Sequence, residues 1–74
     1  EILGIDVTTL DGKPLGSITE IIETGSNDVF VITPTHDEQQ RRPPDILIPV
    51  IDGVIIEVNK TSGVMVIDPP SGLL

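Results

Sequence analysis

This chain of 74 residues reads as an all-β domain, a small closed or nearly closed antiparallel β-barrel of about six strands. Six short runs dominated by isoleucine and valine supply the strands, because β-branched side chains suit a pleated, half-buried surface. Glycine, proline, asparagine and aspartate collect between those runs, where turns need them. No window joins a 3.6-residue apolar period to helix caps.

The first run covers 3–9 and opens with Leu3-Gly4-Ile5-Asp6-Val7. Asp11-Gly12-Lys13-Pro14 then turns the chain. In the second run, 16–24, Ile18 and Ile21 stand three apart, which breaks a period of two. A β-bulge near Thr19 and Glu20 returns both isoleucines to one face and bends the strand as a small barrel requires. In the turn Gly25-Ser26-Asn27-Asp28, Gly25 and Asn27 are the residues best able to adopt positive φ, and Asp28 can accept backbone N–H bonds. The third run is 29–33.

Residues 34–44 hold no apolar side chain except proline and read as a mobile polar loop. The fourth run, 45–49, leads to Gly53, with a single helical turn over 50–53 the most that the sequence allows. In the fifth run, 54–59, Val54, Ile56 and Val58 share one face while Glu57 and Asn59 take the other, Ile55 being the exception. Asn59-Lys60-Thr61-Ser62-Gly63 turns the chain into the sixth run, 64–68. Residues 69–74 leave as a tail, because proline cannot continue a ladder. Closure into a barrel removes edges that so β-branched a chain would otherwise expose to aggregation.

The whole stretch 1–74 makes one domain, and a domain of this size buries only roughly 60% of its unfolded surface, leaving little room for an enclosed active site. The sequence opens at Glu1 rather than methionine, so a piece of something longer is expected. Twelve Asp and Glu against four Lys and Arg give a net charge of -8. Such a surface repels phosphate backbones, which disfavours direct nucleic-acid binding and favours a basic protein partner. The lack of cysteine excludes a disulfide framework and thiolate metal sites, and suits a cytoplasmic setting. The longest apolar tract, 46–58, is interrupted by Pro49, Asp52, Gly53 and Glu57 and falls short of the ~20 residues a membrane span needs.

Catalytic, metal and cofactor sites are not expected. His36-Asp37-Glu38 are consecutive in a polar loop and do not converge on one point, and His36 is the only histidine available to a nucleophile triad. Glu20, Glu23, Glu57 and Asp68 offer carboxylates without a sugar platform, Phe30 being the sole aromatic residue. Gly12 and Gly16 flank a proline in a hairpin and do not lead into a helix as a phosphate loop does. Asn59-Lys60-Thr61 spells a glycosylation acceptor but reads as turn chemistry. Arg41-Arg42 is offset by Asp37 and Glu38. Charge is what remains, and Glu20, Glu23, Asp28, Asp52 and Glu57 are the candidate contacts to a basic partner. Leu73 and Leu74 are too apolar to be left in water at no cost and are expected to dock on the barrel or on a neighbouring domain.

The tract Leu15-Gly16-Ser17-Ile18-Thr19-Glu20-Ile21-Ile22-Glu23-Thr24-Gly25-Ser26-Asn27-Asp28-Val29-Phe30-Val31 resembles the C-terminal PRC-barrel domain of the RimM ribosome maturation factors. The opening Leu3-Gly4-Ile5-Asp6-Val7, the strand end Ile46-Leu47-Ile48-Pro49 and the close Pro69-Pro70-Ser71-Gly72-Leu73-Leu74 agree with it in order. The resemblance implies a six-stranded barrel without catalytic activity or cofactor that assists maturation of the small ribosomal subunit and rRNA processing. It implies as partner a basic ribosomal protein of the subunit head, number nineteen of its series, and an N-terminal β-barrel domain in the same factor. An alternative is a PRC-type barrel serving as a structural or regulatory module of a membrane-associated complex, as in photosynthetic reaction-centre relatives.

Overall fold

The computed structural model describes residues 2–35 and 43–69. Its strands are β1 (Asp6–Thr9), β2 (Pro14–Ile22), β3 (Val29–Thr33), β4 (Ile46–Pro49), β5 (Ile55–Asn59) and β6 (Val64–Ile67). Each matches one expected run with adjusted ends; β2 starts earlier, at Pro14, and stops short of Thr24. They form one six-stranded sheet in the order β4-β3-β2-β1-β6-β5.

Two features correct the closed antiparallel barrel. β1 pairs with β6 in parallel, so the sheet is mixed, and β4 and β5 are left as its two edges without a ladder between them. The strand senses explain why. Every other adjacent pair is antiparallel, so β4 and β5 run the same way. Parallel neighbours need a connection of about a dozen or more residues, and only 50–54 link these two. The sheet curls around its core but does not close by hydrogen bonds.

The bulge sits where the isoleucine spacing puts it. Ile18 pairs with Ile32 and Glu20 with Val31, leaving Thr19 as the extra residue. The Thr19 hydroxyl lies 2.9 Å from that of Thr33. Upstream, Gly16 permits β2 to cross the end of β3. A Cβ there would stand 2.2 Å from the Thr33 carbonyl oxygen, and its φ of 146° is one that side chains disfavour.

Both sides of the curl fill one core. Val7, Ile18, Ile32, Ile48, Met65 and Ile67 are at most 1% exposed and come from all strands but β5. Each buried side chain of this kind contributes about 1.5–3 kcal/mol. β5 departs from the expected alternation because its register shifts between Ile55 and Glu57. Val54 lies before the strand and is buried, Ile55 packs on the core, and Ile56 and Val58 are exposed.

The turns also differ from expectation. Asn27 does not adopt positive φ; Gly25 alone takes that role in its turn, at 86°. Thr24 ties the same turn, its hydroxyl donating to the Asn27 carbonyl and accepting from the Ser26 amide. The link 50–54 is a turn and not a helix, with the Val54 amide donating to the Ile51 carbonyl. Asn59 serves its turn as read, accepting from the Ser62 amide at 3.0 Å. His36, Asp37, Glu38, Arg41, Arg42, Leu73 and Leu74 lie outside the described residues, as does most of the 34–44 loop and of the tail.

Candidate functional site

On the outward side of β2, β3 and β4, register lays side chains in rows across the strands. Glu20, Val31 and Leu47 make one row, and Ile22, Val29 and Pro49 the next. The bulge produces this arrangement: with Thr19 extra, Ile21 pairs with Phe30 on the core side, and Ile22 must point out. Val31 is only 6% exposed yet stands apart from the core cluster, while Leu47 is 51% exposed and Ile22 38%. Scattered exposed apolar residues are ordinary, whereas contiguous ones mark surfaces that meet something.

Carboxylates rim this patch. Glu20 is in the first row itself. Glu23 directly follows β2 and Asp28 directly precedes β3, beyond the Ile22–Val29 pair. The Val50 amide donates to the Asp28 carbonyl at 2.8 Å, which brings the turn holding Asp52 to the same end of the sheet. All four acids are exposed. Glu57 does not join them: it sits on β5 opposite Val66, at the other edge of the sheet. The two described lysines are also elsewhere, Lys13 in the β1–β2 turn and Lys60 in the β5–β6 turn.

A separate shallow depression is lined by Thr9, Leu10, Asp11, Lys13, Asp68 and Pro69. Its chemistry belongs to the turn. Thr9, buried at 7% exposure, donates its hydroxyl to the Asp11 carboxylate and accepts from the Lys13 amide at 3.1 Å. That hydroxyl, then the local backbone N–H groups and the Lys13 charge, hold Asp11 below its ordinary pKa of 3.8. Asp68 is at this rim and Glu57 on β5, so the carboxylates considered for glycoside chemistry are spread over separate strands. Among the described residues no group of three or more His, Asp or Glu is placed to hold a metal ion, and no helix is long and apolar enough to cross a membrane.

The apolar half of the patch escaped sequence reasoning. Ile22, Val29 and Leu47 look like core residues in a strand-rich sequence; the signal that places Ile22 outside is the bulge combined with strict alternation after it.

Comparison with known proteins agrees with the resemblance carried by residues 15–31. The RimM PRC barrel domain family model matches residues 1–73. The ribosome maturation factor RimM of Geotalea daltonii is 42% identical over 74 residues, covering 100% of this chain and 39% of its own length. That of Syntrophobacter fumaroxidans is 44% identical over 73 residues, covering 99% of this chain and 38% of its own. The chain thus spans about two fifths of the length of these curated relatives. The crystal structure of a 16S ribosomal RNA processing protein RimM from Pseudomonas aeruginosa matches with a TM-score of 0.79 at 27% identity, over 95% of this chain and 42% of that one. With the family model matching residues 1–73 and relatives above 40% identity, this chain belongs to the RimM PRC barrel domain family.

Proposed function

We propose that this domain acts in small-subunit maturation as a protein-binding module. It holds a basic ribosomal protein of the subunit head, number nineteen of its series, and so favours one local arrangement of the head in which rRNA processing proceeds. It works in the cytoplasm without chemistry of its own, beside an N-terminal domain of the same factor. Two things support the reading. Its relatives carry the names ribosome maturation factor and 16S ribosomal RNA processing protein. The observation that carries it is an unequal spread of charge: Glu20, Glu23, Asp28 and Asp52 gather on the β2–β4 half with no described lysine among them, whereas Asp6, Asp11, Glu57 and Asp68 share the other half with Lys13 and Lys60.

Complementary charge of this kind speeds encounter and sets orientation more than it supplies affinity. The test follows the association and dissociation kinetics of the full-length factor with that purified ribosomal protein at low and raised salt. Binding is expected at both, with association slower at raised salt. No binding at either ionic strength removes the reading.

A further inference from the structure

We infer that the outward face of β2, β3 and β4 is the docking surface, and that its occupant is a segment of a basic protein bearing one or two apolar side chains flanked by lysine or arginine. This rests on the reading above and adds to it the face and the kind of segment it takes. In this face Val31, at 6% exposure, lies between Leu47 at 51% and Glu20 in its own row, with Ile22 at 38% in the next row. Val31 is already out of water, so what an apolar side chain of the occupant would cover is the exposed surface of Leu47 and Ile22 on either side of it. Around it Glu20, Glu23, Asp28 and Asp52 form an acidic rim, the arrangement of apolar centre and polar border that protein interfaces share.

Charge decides among possible occupants. A second copy of this chain, related by a two-fold axis through the face, would bring this acidic rim against itself, and like charges in apposition are strongly unfavourable. A nucleic acid would bring phosphates to the same carboxylates. A basic segment meets neither obstacle, and its lysines or arginines reach the rim while its apolar residues cover Leu47 and Ile22. The outward rows of the other half differ in that Val64 lies between Asp6 and Asn59 and Val66 between Thr8 and Glu57, polar on both sides, while the exposed Ile56 and Val58 of β5 stand outside these rows.

The test uses the full-length factor and the purified head protein number nineteen, followed by association and dissociation kinetics. The double variant Ile22→Ala, Leu47→Ala is expected to weaken binding about tenfold or more, mainly through faster dissociation. Glu20→Gln with Glu23→Gln, which leaves the core untouched, is expected to slow association at low salt and to have little effect at raised salt. Ile56→Ala, on the exposed side of β5, is expected to change neither.

If the unaltered factor binds but Ile56→Ala weakens it while the Ile22 and Leu47 variant does not, the face is wrong and the function stands. If the unaltered factor does not bind, both fall. Should the apolar variant fail to fold, unchanged association by the Glu20 and Glu23 variant overturns the proposal by itself. A dimer of the free factor that the apolar variant disperses would assign the face to a second copy. A Leu47→Cys thiol that resists labelling in the free factor would assign it to another domain. Either result overturns the proposal.

Discussion

β2, β3 and β4 form an antiparallel set whose outward rows are Glu20, Val31 and Leu47, then Ile22, Val29 and Pro49, whereas β1, β6 and β5 contain the parallel pair and set Val64 and Val66 outward among Asp6, Thr8, Glu57 and Asn59. Inward the two halves are alike. Ile18, Ile32 and Ile48 from the first meet Val7, Met65 and Ile67 from the second in one cluster. The difference therefore lies in what each half shows to solvent: folding draws on both, and the proposed docking face lies on one.

The largest effect should come where the halves join. Gly16 pairs with Val7 of β1 and at the same time lies under the end of β3, where an added Cβ would meet the Thr33 carbonyl oxygen at 2.2 Å and the Pro34 Cα at 2.7 Å. Both are backbone atoms that cannot swing aside. Gly16→Ala should destabilise by about 4 kcal/mol or more, read as a lowered urea midpoint. A variant as stable as the parent would show that this crossing does not fix the two halves together.

One core shared by both halves has a second consequence. Ile48→Ala on β4 and Met65→Ala on β6 each remove a side chain at most 1% exposed, from opposite sides of the curl. Each should lower stability in urea denaturation by about 2–5 kcal/mol, in a single transition. A large loss at one site and a negligible one at the other would separate the halves energetically.

A smaller effect sharpens the outward contrast. The Thr19 hydroxyl, 2.9 Å from the Thr33 hydroxyl, fastens the bulge that turns Glu20 and Ile22 outward. Thr19→Ala should lose about 0.5–1 kcal/mol, read as a shifted urea midpoint at constant slope. Loosening the bulge should weaken partner binding too, since it aims two residues of the docking face. Equal binding with reduced stability would mean that the neighbouring rows hold the face without it.

Much of this was legible in the residues themselves. Turn chemistry and β-branched runs located all six strands, and the three-residue gap between Ile18 and Ile21 located the bulge. Those are local signals. The parallel pairing of β1 with β6 joins the two ends of the sequence and leaves no mark in either run's period, and the unladdered β4 and β5 follow from it. The bulge between Ile55 and Glu57 was hidden because Ile55, Ile56 and Val58 are all apolar and no broken pattern announces it. At the candidate site the acids were visible as charges, but which of them share a half depends on register. Register brings Glu23, Asp28 and Asp52 to one end and leaves Glu57 on β5.

The smallest effect belongs to the half without the docking face. In the β1–β2 turn, the Thr9 hydroxyl and nearby backbone N–H groups hold the exposed Asp11 carboxyl below its ordinary value of 3.8, with Lys13 adding to them. A carboxyl whose folded pKa is depressed binds fewer protons folded than unfolded, so its contribution is full above the unfolded value and is lost as pH falls through the folded one. The stability gap between the parent and Asp11→Asn should therefore be constant near neutrality. It should shrink as pH drops from about 5 to below the ordinary carboxylate value of about 3.9. Thr9→Val, which removes the principal donor, should flatten most of that dependence. Because this turn lies away from the acidic rim, Asp11→Asn should leave the salt dependence of partner association as it was. A changed association rate would extend the recognition surface past β2 and dissolve the division between the halves.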